Sequence, residues 1–203
     1  AATIDHCYGV LFGHRGELRS SLTRLHRALE RCGRGHFLEG RILDSLGKAY
    51  AALNHFAAAR EFYEHAIQAK RAWNDEQGLA VTHGQLGRLF LDWRDLELAE
   101  QHFRIDLDLA ERREDLRAMC LMFNHLGRVY LQRQLPDEAL GYFDESLHLA
   151  IENGYPIEEG FTRKDIALAR LKRGDVDEAD EQLEQSRRIF SQRQFQEGFA
   201  HVQ

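Results

Sequence analysis

The sequence predicts an all-α protein, built as a solenoid of about five helix-turn-helix repeats. One short motif recurs at a fixed interval, a second motif follows it at a constant distance, and turn-forming residues lie between the two. The chain of 203 residues contains only two prolines, while Ala, Leu, Glu, Arg and Gln are abundant and Val, Ile and Thr are few. This composition favours long helices over strands.

The first motif has the form Leu-Gly-x-x-aromatic and places Gly47, Gly87 and Gly127 at intervals of 40 residues. Weaker copies begin at Tyr8 and Ile166. A glycine inside a helix costs about 1 kcal/mol relative to alanine. Its recurrence at one phase therefore indicates a position where a second helix approaches closely.

The second motif has the form Ala-x-x-x-aromatic and begins twelve residues after each of these small residues, at Ala59, Ala99 and Ala139. Residues four apart share a helical face, so the alanine and the aromatic side chain point the same way. We predict that the glycine of the first helix packs against the alanine of the second, with the aromatic ring beside them. One such pair cannot bury its apolar face alone, so neighbouring pairs must stack.

Turn residues between the motifs divide the chain into ten predicted helices, at 2–13, 17–31, 37–52, 56–72, 77–92, 96–112, 116–133, 136–152, 157–172 and 176–192. They form a single array whose repeats span approximately 1–34, 35–74, 75–114, 115–154 and 155–193. Glu197-Gly198-Phe199 repeats Glu159-Gly160-Phe161, so we expect 194–203 to begin a truncated next repeat and the chain to be part of a larger protein.

The two motifs in phase resemble the signature of the tetratricopeptide-repeat (TPR) family, over nearly the whole chain. The resemblance implies a right-handed α-solenoid. The interval of 40 residues exceeds the family's usual repeat length of about 34. In this longer repeat the chain is similar to the subfamily found in spindle-orientation adaptors, bacterial peptide-pheromone receptors and regulatory arrays of signalling ATPases. The family's usual Trp before the Leu-Gly pair is absent here, replaced in four repeats by Leu43, His83, Phe123 and Arg163.

The resemblance also implies that the first helix of each repeat lines a concave groove. Carried over position by position, it gives the candidate ligand-binding residues Arg41, Asp44, Lys48, Gln85, Arg88, Asn124, His125, Arg128 and Lys164. Three of them, Lys48, Arg88 and Arg128, hold the same phase in successive repeats. This cationic row suits an extended acidic peptide, because arginine forks bind carboxylates. The alternative is that long basic side chains simply cover a solvated helix face.

Asp106 stands where other repeats have a small residue, and an ionised carboxylate buried there without a partner would be costly. We expect it to pair with Arg88 or Arg128; alternatively, the long-period subfamily accepts a polar residue at this position. Trp73 and Trp93 lie at helix ends and are expected to pack between repeats.

Composition and motifs exclude several function classes. The net charge of −6 argues against nucleic-acid binding, which requires a basic surface. No apolar run approaches the roughly 20 residues needed to cross a bilayer. The scattered Cys7, Cys32 and Cys120 predict reduced thiols and a cytoplasmic location. No metal, phosphate-loop, dinucleotide or nucleophile-elbow motif is present, so we expect no metal, no cofactor and no enzymatic activity.

The leading hypothesis is therefore a scaffold that binds a protein or peptide, expected to be acidic, in its concave groove. A second hypothesis is self-assembly into a homo-oligomer, or packing against an effector domain outside this sequence. An enzyme is the third and least favoured hypothesis. The fold alone does not choose among them, because one fold serves many functions.

Overall fold

The computed structural model describes residues 1–192, which form ten helices and no strand. The helices are α1 (Ala2–His14), α2 (Leu18–Cys32), α3 (Glu39–Ala52), α4 (Phe56–Ala72), α5 (Glu76–Asp92), α6 (Leu96–Arg112), α7 (Leu116–Gln132), α8 (Pro136–Glu152), α9 (Pro156–Arg173) and α10 (Val176–Gln192). Their ends lie within two residues of the predicted ones. The all-α fold of about five helix pairs is confirmed.

The chain forms two compact units, the first spanning Ala1–His102 and the second beginning at Phe103. In the first unit α1 packs on α2 and α3 on α4, while α2 also contacts α3 and α4 contacts α5. In the second unit α7 packs on α8, α8 on α9 and α9 on α10. The single array over 1–203 stays a prediction, and its proposed final segment 194–203 lies outside the described residues.

Most turns share one hydrogen-bond pattern. After α3, the N–H of Asn54 bonds to the carbonyl of Ala51 and the N–H of His55 to that of Tyr50, both at 2.9 Å. Asn54 adopts a left-handed backbone with φ of 59°. Such a turn satisfies the last free carbonyls of the helix and reverses the chain within three residues. The next helix therefore runs back along the one before it.

The connection between α2 and α3 is longer than the others. It contains Gly33 and Gly35, with φ of 75° and 76°, a conformation that glycine adopts without steric cost. These glycines delay α3, which begins two residues later than predicted. As a result Phe37 lies outside the helix with 58% of its surface exposed.

In the pairs α1/α2, α3/α4, α7/α8 and α9/α10, a large side chain of the second helix lies on a glycine of the first. A Cβ built on Gly47 would lie 2.7 Å from the Tyr63 ring, and one on Gly9 would lie 2.6 Å from Leu25. The prediction that the second helix approaches the glycine closely is therefore correct, but the residue predicted to contact the glycine is wrong. The ring itself, rather than Ala59 of the second motif, occupies the space that glycine leaves.

Each unit has its own apolar core. In the first unit α2 and α3 share the buried residues Leu25, Ala28, Leu38, Ile42, Leu46 and Ala49. In the second, α7, α8 and α9 share Leu131, Ala139, Leu140, Phe143, Ile166 and Ala169. In both units the first helix of a repeat thus buries one face against the second helix of the preceding repeat, which leaves another face free to line a groove.

We predict that Gly47→Ala destabilises the protein by about 1–2 kcal/mol. Overpacking against the Tyr63 ring costs about 1–3 kcal/mol and is only partly offset by the better helix propensity of alanine. Gly141→Ala is the matched control, because a Cβ there meets nothing within 4 Å. It is expected to raise stability by up to about 1 kcal/mol. Urea unfolding measures both, and equal stabilisation by the two changes would contradict the contact.

Candidate functional site

A cavity of about 780 Å³ opens on the first unit between the first helices of its repeats. It is lined from α1, α3 and α5, and from the end of α4, by His6, Val10, Phe37, Arg41, Asp44, Ser45, Lys70, Trp73, Asp75, Gln77, Gly78 and Val81. Arg41 and Asp44 were among the predicted groove residues. This cavity is the candidate binding site.

The rim of the cavity is apolar. Phe37, Trp73 and Val81 are exposed over 58%, 54% and 51% of their surface. Trp73 follows α4 as its C-terminal cap and keeps about half of its surface exposed at this rim. Trp93 does pack, stacking on Phe56 with ring centroids 5.8 Å apart.

Sequence reasoning missed these three rim residues. The available signals were an aromatic residue in a glycine-rich linker and a tryptophan at a helix end.

The floor of the cavity contains a buried lysine. Lys70 is only 4% exposed, and its ammonium group forms an ion pair with Asp44. It also donates to the hydroxyl of Thr82 at 2.6 Å and to the carbonyl of Gly78 at 2.9 Å. The three N–H donors of the ammonium group thus have three acceptors. The stem fits because residue 40 is glycine: a Cβ on Gly40 would lie 2.7 Å from Lys70 Cγ.

Asp44 therefore holds the floor together. Its second carboxylate oxygen accepts a hydrogen bond from Thr82 at 2.8 Å. Burial raises the pKa of Asp44, and the charge of Lys70 and these hydrogen bonds oppose that rise. Removing one member of a buried pair strands the other charge, at a cost of about 3–5 kcal/mol. Asp44 was predicted as a ligand-binding residue, but its carboxylate is already engaged by Lys70 and Thr82.

Arg41 is the exposed cation of the cavity, and it forms no ion pair within residues 1–192. Beneath it, Ser45 donates to the Arg41 carbonyl at 3.1 Å and pairs with His6 Nε2 at 2.9 Å. Burial and the Arg41 charge both lower the pKa of His6, which favours the neutral form of its ring. Asp75 caps α5 by accepting from the N–H of Gly78 at 2.8 Å.

The other predicted residues of the first unit lie farther along the same helices. Lys48 is exposed and borders a smaller cavity of about 180 Å³ between α1, α2 and α3. Gln85 is half-buried and Arg88 is exposed. Burial raises the pKa of the Tyr63 hydroxyl, and the charge of Arg88 opposes that rise. Arg88 thus lies close enough to act on the buried ring that packs on Gly47.

In the second unit, Asn124 is buried and donates to Thr162 Oγ1 at 3.3 Å and to Asp165 Oδ2 at 3.2 Å. Burial raises the pKa of Asp165, and the nearby charges of Arg128 and Lys164 lower it. The structure therefore brings three predicted residues around one buried carboxyl group.

The remaining predicted residue of the second unit faces another helix. The His125 ring stacks on Phe103 of α6 with ring centroids 4.9 Å apart. Lys164 lies over the Phe161 ring, its ammonium nitrogen 5.4 Å from the ring centroid. Its flexible stem keeps this charge at the surface.

Asp106 is buried on α6 with 5% of its surface exposed. Burial raises its pKa to about 7; Arg113 lowers it and Asp115 raises it further. The charges that act on it are these two, rather than those of the predicted Arg88 or Arg128. Ser146 occupies the position of Asp106 one repeat later, and its hydroxyl group hydrogen-bonds to that of Thr162 at 2.9 Å. In the repeat of Asp106, the residue equivalent to Thr162 is Met122, which has no hydroxyl group to offer.

We predict that Asp106 makes stability depend on pH. The unfolded chain releases the proton near pH 3.8 and the native state retains it to about pH 7. Stability is therefore fully present below pH 3.8 and is lost as pH rises through about 7, by up to about 4 kcal/mol. Asp106→Ala should remove this loss and be the more stable protein at pH 8.

Urea unfolding at intervals between pH 4 and pH 8 would measure the difference between wild type and Asp106→Ala. The exposed residue Asp108 supplies the control, since Asp108→Ala should follow the wild-type curve. A difference that stays constant with pH would contradict the assignment.

Within residues 1–192 the structure offers no metal-binding cluster and no membrane-spanning helix. No group of three or more His, Cys, Asp or Glu side chains is arranged to hold a metal ion. Among the helices of that range, none is both long and apolar enough to cross a membrane.

Solved structures with the same fold confirm the architecture. Aspartyl phosphate phosphatase F from Bacillus subtilis superposes with a TM-score of 0.88 at 14% identity, covering 99% of this chain and 53% of that one. A STAND signal-transduction ATPase with a tetratricopeptide-repeat sensor, from Pyrococcus horikoshii, gives 0.82 at 17% identity, with 98% and 31% covered. The Rap conjugation regulator of plasmid pLS20, in complex with the Phr* peptide, gives 0.79 at 16% identity, with 98% and 55% covered.

At these identities the likeness shows the fold alone. A comparison with curated protein sequences gives no significant match. The family model of the MalT-like TPR region, however, matches residues 1–202. Together with the glycine-to-ring packing and the paired helices, this match shows that the chain belongs to the MalT-like TPR family.

Proposed function

We propose that this chain is a protein-interaction scaffold that binds an extended peptide or partner segment along the first helices of its repeats, and that it acts by binding rather than by catalysis. The observation that carries the proposal is the open cavity of about 780 Å³ on the first unit. Its size suits several side chains of a bound segment. Its exposed aromatic rim and exposed cation give both apolar and polar contacts.

Structural neighbours support a peptide as the ligand class. The Rap regulator of similar fold was solved with a peptide bound, and the STAND protein uses its repeats as a sensor. Repeat stacks offer extended surfaces along which a peptide can lie.

Charge supports an acidic segment. The first unit exposes Arg41, Lys48 and Arg88 on its first helices, and the second carries Arg128 and Lys164. Guanidinium groups bind carboxylates through two parallel hydrogen bonds. The opposite net charge of the whole chain, −6, comes from acidic residues elsewhere on the surface.

We also propose that the protein is located in a reducing compartment. Cys7, Cys32 and Cys120 are all free thiols. Free thiols persist where glutathione and thioredoxin keep them reduced, which supports a cytoplasmic location.

The experiment compares capture of partners from a lysate by the wild type and by Lys48→Ala/Arg88→Ala/Arg128→Ala. We expect the triple variant to lose the partner, because the cationic row would no longer face its carboxylates. Arg19→Ala/Arg112→Ala/Arg187→Ala removes the same charge from exposed positions on second helices and should capture normally.

A photo-crosslinking amino acid at Val81 should join the captured partner to the cavity, and one at the exposed Glu61 should not. Equal capture by all three proteins, with crosslinking at neither position, would refute groove binding.

A second candidate function, self-assembly, is favoured by one surface. Ile4, Tyr8 and Leu11 of α1 are exposed over 61%, 47% and 44% of their surface. The α3 equivalents of Ile4 and Tyr8, which are Ile42 and Leu46, are fully buried against the preceding helix, and Ala49, the equivalent of Leu11, is buried as well. The α1 face thus has the composition of a stacking surface and could pack on another copy or on an effector domain.

Sedimentation velocity over a hundredfold concentration range tests this candidate. If α1 mediates self-association, the wild type should shift to a larger species as concentration rises, and Tyr8→Glu should remain a monomer. Placing a charge in a buried apolar contact is strongly unfavourable. Asp108→Ala serves as a surface control. A wild type that stays monomeric throughout would exclude this candidate.

A further inference from the structure

The first helix pair carries an exposed apolar stripe along α1. Its members follow one another by one helical turn, and they are Ile4, Tyr8 and Leu11. Together with Thr3 and Cys7 they line a shallow cavity of about 230 Å³, and none of these five residues is acidic. Because the equivalent residues of α3 are buried against α2, the stripe has the composition of a helix-packing surface.

A cluster of three arginines lies beside the stripe, on α2. Arg24, Arg27 and Arg31 are spaced so that they share one helical face. All three pair with the carboxylate of Asp5, which is only 2% exposed. The guanidinium group of Arg24 also lies over the Tyr8 ring, 5.3 Å from its centroid. The stripe and the cluster therefore form one continuous surface, which we call the α1–α2 face.

The α1–α2 face keeps an excess of positive charge when every nearby carboxylate is counted. The three guanidinium groups share the single negative charge of Asp5, and their side chains stay 38–50% exposed. The same helix pair contains two other acidic residues, Glu17 at the start of α2 and Glu30 on its flank. Even so, residues 1–35 contain six arginines against three acidic residues, a side-chain charge of +3 in a chain of −6.

The arginines also have hydrogen-bond donors to spare. Each guanidinium group has five N–H donors, and the two oxygens of Asp5 cannot accept from all fifteen. A second carboxylate can therefore bind the cluster without displacing Asp5.

The next repeat shows how a helix covers such a face. The two pairs correspond with an offset of 38 residues, because Gly9 packs on Leu25 as Gly47 packs on Tyr63. This offset makes the equivalents of the three arginines in α4 Phe62, His65 and Ala69. These three residues line one cavity together with residues of α2. In the second repeat, α2 is thus the covering helix.

The contacts of α2 define the pattern that a covering helix needs. Its apolar residues on the α3 side stand at positions i, i+3 and i+7, which are Leu22, Leu25 and Leu29. The residues at i+4 and i+8 face α4 instead. The His26 ring lies 5.9 Å from that of Phe62, and Glu30 lines the cavity that contains His65. On the α1–α2 face, the same two positions would meet arginines.

A second copy of this chain fits the α1–α2 face poorly. Two such faces packed on each other would bring six arginines together, and like charges at an interface are unfavourable. In α10, the positions equivalent to i, i+3 and i+7 hold Asp180, Leu183 and Arg187, so that only one of the three is apolar. The charge and the apolar pattern therefore favour a helix from a different protein.

We propose that the α1–α2 face is a docking site for an amphipathic helix of a partner protein, with apolar residues at i, i+3 and i+7 and Glu or Asp at i+4 and i+8. The apolar side chains pack on Ile4, Tyr8 and Leu11, and the carboxylates bind the arginine cluster. This inference deepens the second candidate function, whose surface it uses, and it does not depend on groove binding.

The test uses fluorescent peptides of fifteen residues, the length of α2, acetylated or labelled at one end and amidated at the other. The first peptide has Leu at i, i+3 and i+7 and Glu at i+4 and i+8, in an Ala/Gln/Ser background. Comparison peptides replace both Glu by Gln, replace the three Leu by Ser, or move both Glu to the other flank of the Leu stripe, at i−1 and i+6. Circular dichroism compares the helicity of the peptides, and fluorescence anisotropy measures binding.

We expect the Leu/Glu peptide to bind about tenfold more tightly than each comparison peptide at low salt, because carboxylate and guanidinium pair bidentately. Its advantage over the Gln peptide should shrink at about 0.5 M salt, which screens exposed charges. Arg27→Gln should reduce the preference for Glu over Gln several-fold, while Asp5 keeps two arginine partners. Ile4→Ser should weaken the Glu and Gln peptides alike.

Two matched controls separate the α1–α2 face from other surfaces. Arg19→Gln removes an exposed arginine of the same helix outside the cluster and should leave binding unchanged. Lys48→Ala/Arg88→Ala/Arg128→Ala should also bind the Leu/Glu peptide as the wild type does. Thermal unfolding followed by circular dichroism verifies that every variant is folded.

Three outcomes overturn the inference. Equal binding of the Glu, Gln and flank-shifted peptides excludes the arginine cluster as the carboxylate site. Loss of binding in the Lys48/Arg88/Arg128 variant but not in Ile4→Ser places the peptide in the groove, so docking on α1–α2 fails and groove binding stands. If no peptide binds while Tyr8→Glu abolishes self-association in sedimentation velocity, the face is an interface between copies; absence of both effects refutes this inference and the second candidate function together.

Discussion

Within the helix pairs, a large side chain lies directly on a residue without a side chain. Tyr63 on Gly47 and Leu25 on Gly9 bring the two helices of each pair together. This contact fixes which face of the first helix is buried within the pair. A second face is buried against the preceding repeat, as the cores of both units show. The remaining stripe of the first helix must face solvent, and it is this stripe that carries the cavity of the first unit.

The same arrangement, a glycine beside a large side chain, explains why a lysine can be buried here. Gly40 leaves room for the stem of Lys70, just as Gly160 leaves room for the Phe190 ring. Lys70 uses that room to place a cation beneath the cavity, bound to Asp44 and to α5. Replacing a buried ion pair by apolar residues is often neutral for stability. We therefore attribute to this pair a role in positioning the helices rather than a gain in stability. It joins α3, α4 and α5 at the cavity floor and leaves Arg41 as the cation offered to a ligand.

The two units use their polar groove residues differently. In the first, Arg41 is exposed beside apolar side chains and available to a ligand. In the second, Asn124 and Asp165 bond to each other, with Arg128 and Lys164 nearby. Cations that occupy the same position in successive repeats of the sequence therefore do not form one uniform surface. They differ in what surrounds them, and an acidic ligand would meet a different environment at each one.

The sequence by itself determined the helix count, the helix ends to within two residues and the glycines at which helices approach closely, because these depend on local propensity and on a period that repeats in the chain. The resemblance to the TPR family also predicted that first helices line a groove, and in the first unit α1, α3 and α5 line the cavity. The sequence did not reveal that Asp44 is neutralised by Lys70, or that Phe37 and Trp73 face the same cavity as Arg41. Both facts depend on residues far apart in the chain meeting in space, 26 positions in the case of Asp44 and Lys70, which no local pattern encodes. The tertiary structure alone decided which charged groups remain available to a ligand. A charged side chain can be neutralised by a buried partner from a distant part of the chain, and the residues next to it in the sequence do not indicate this.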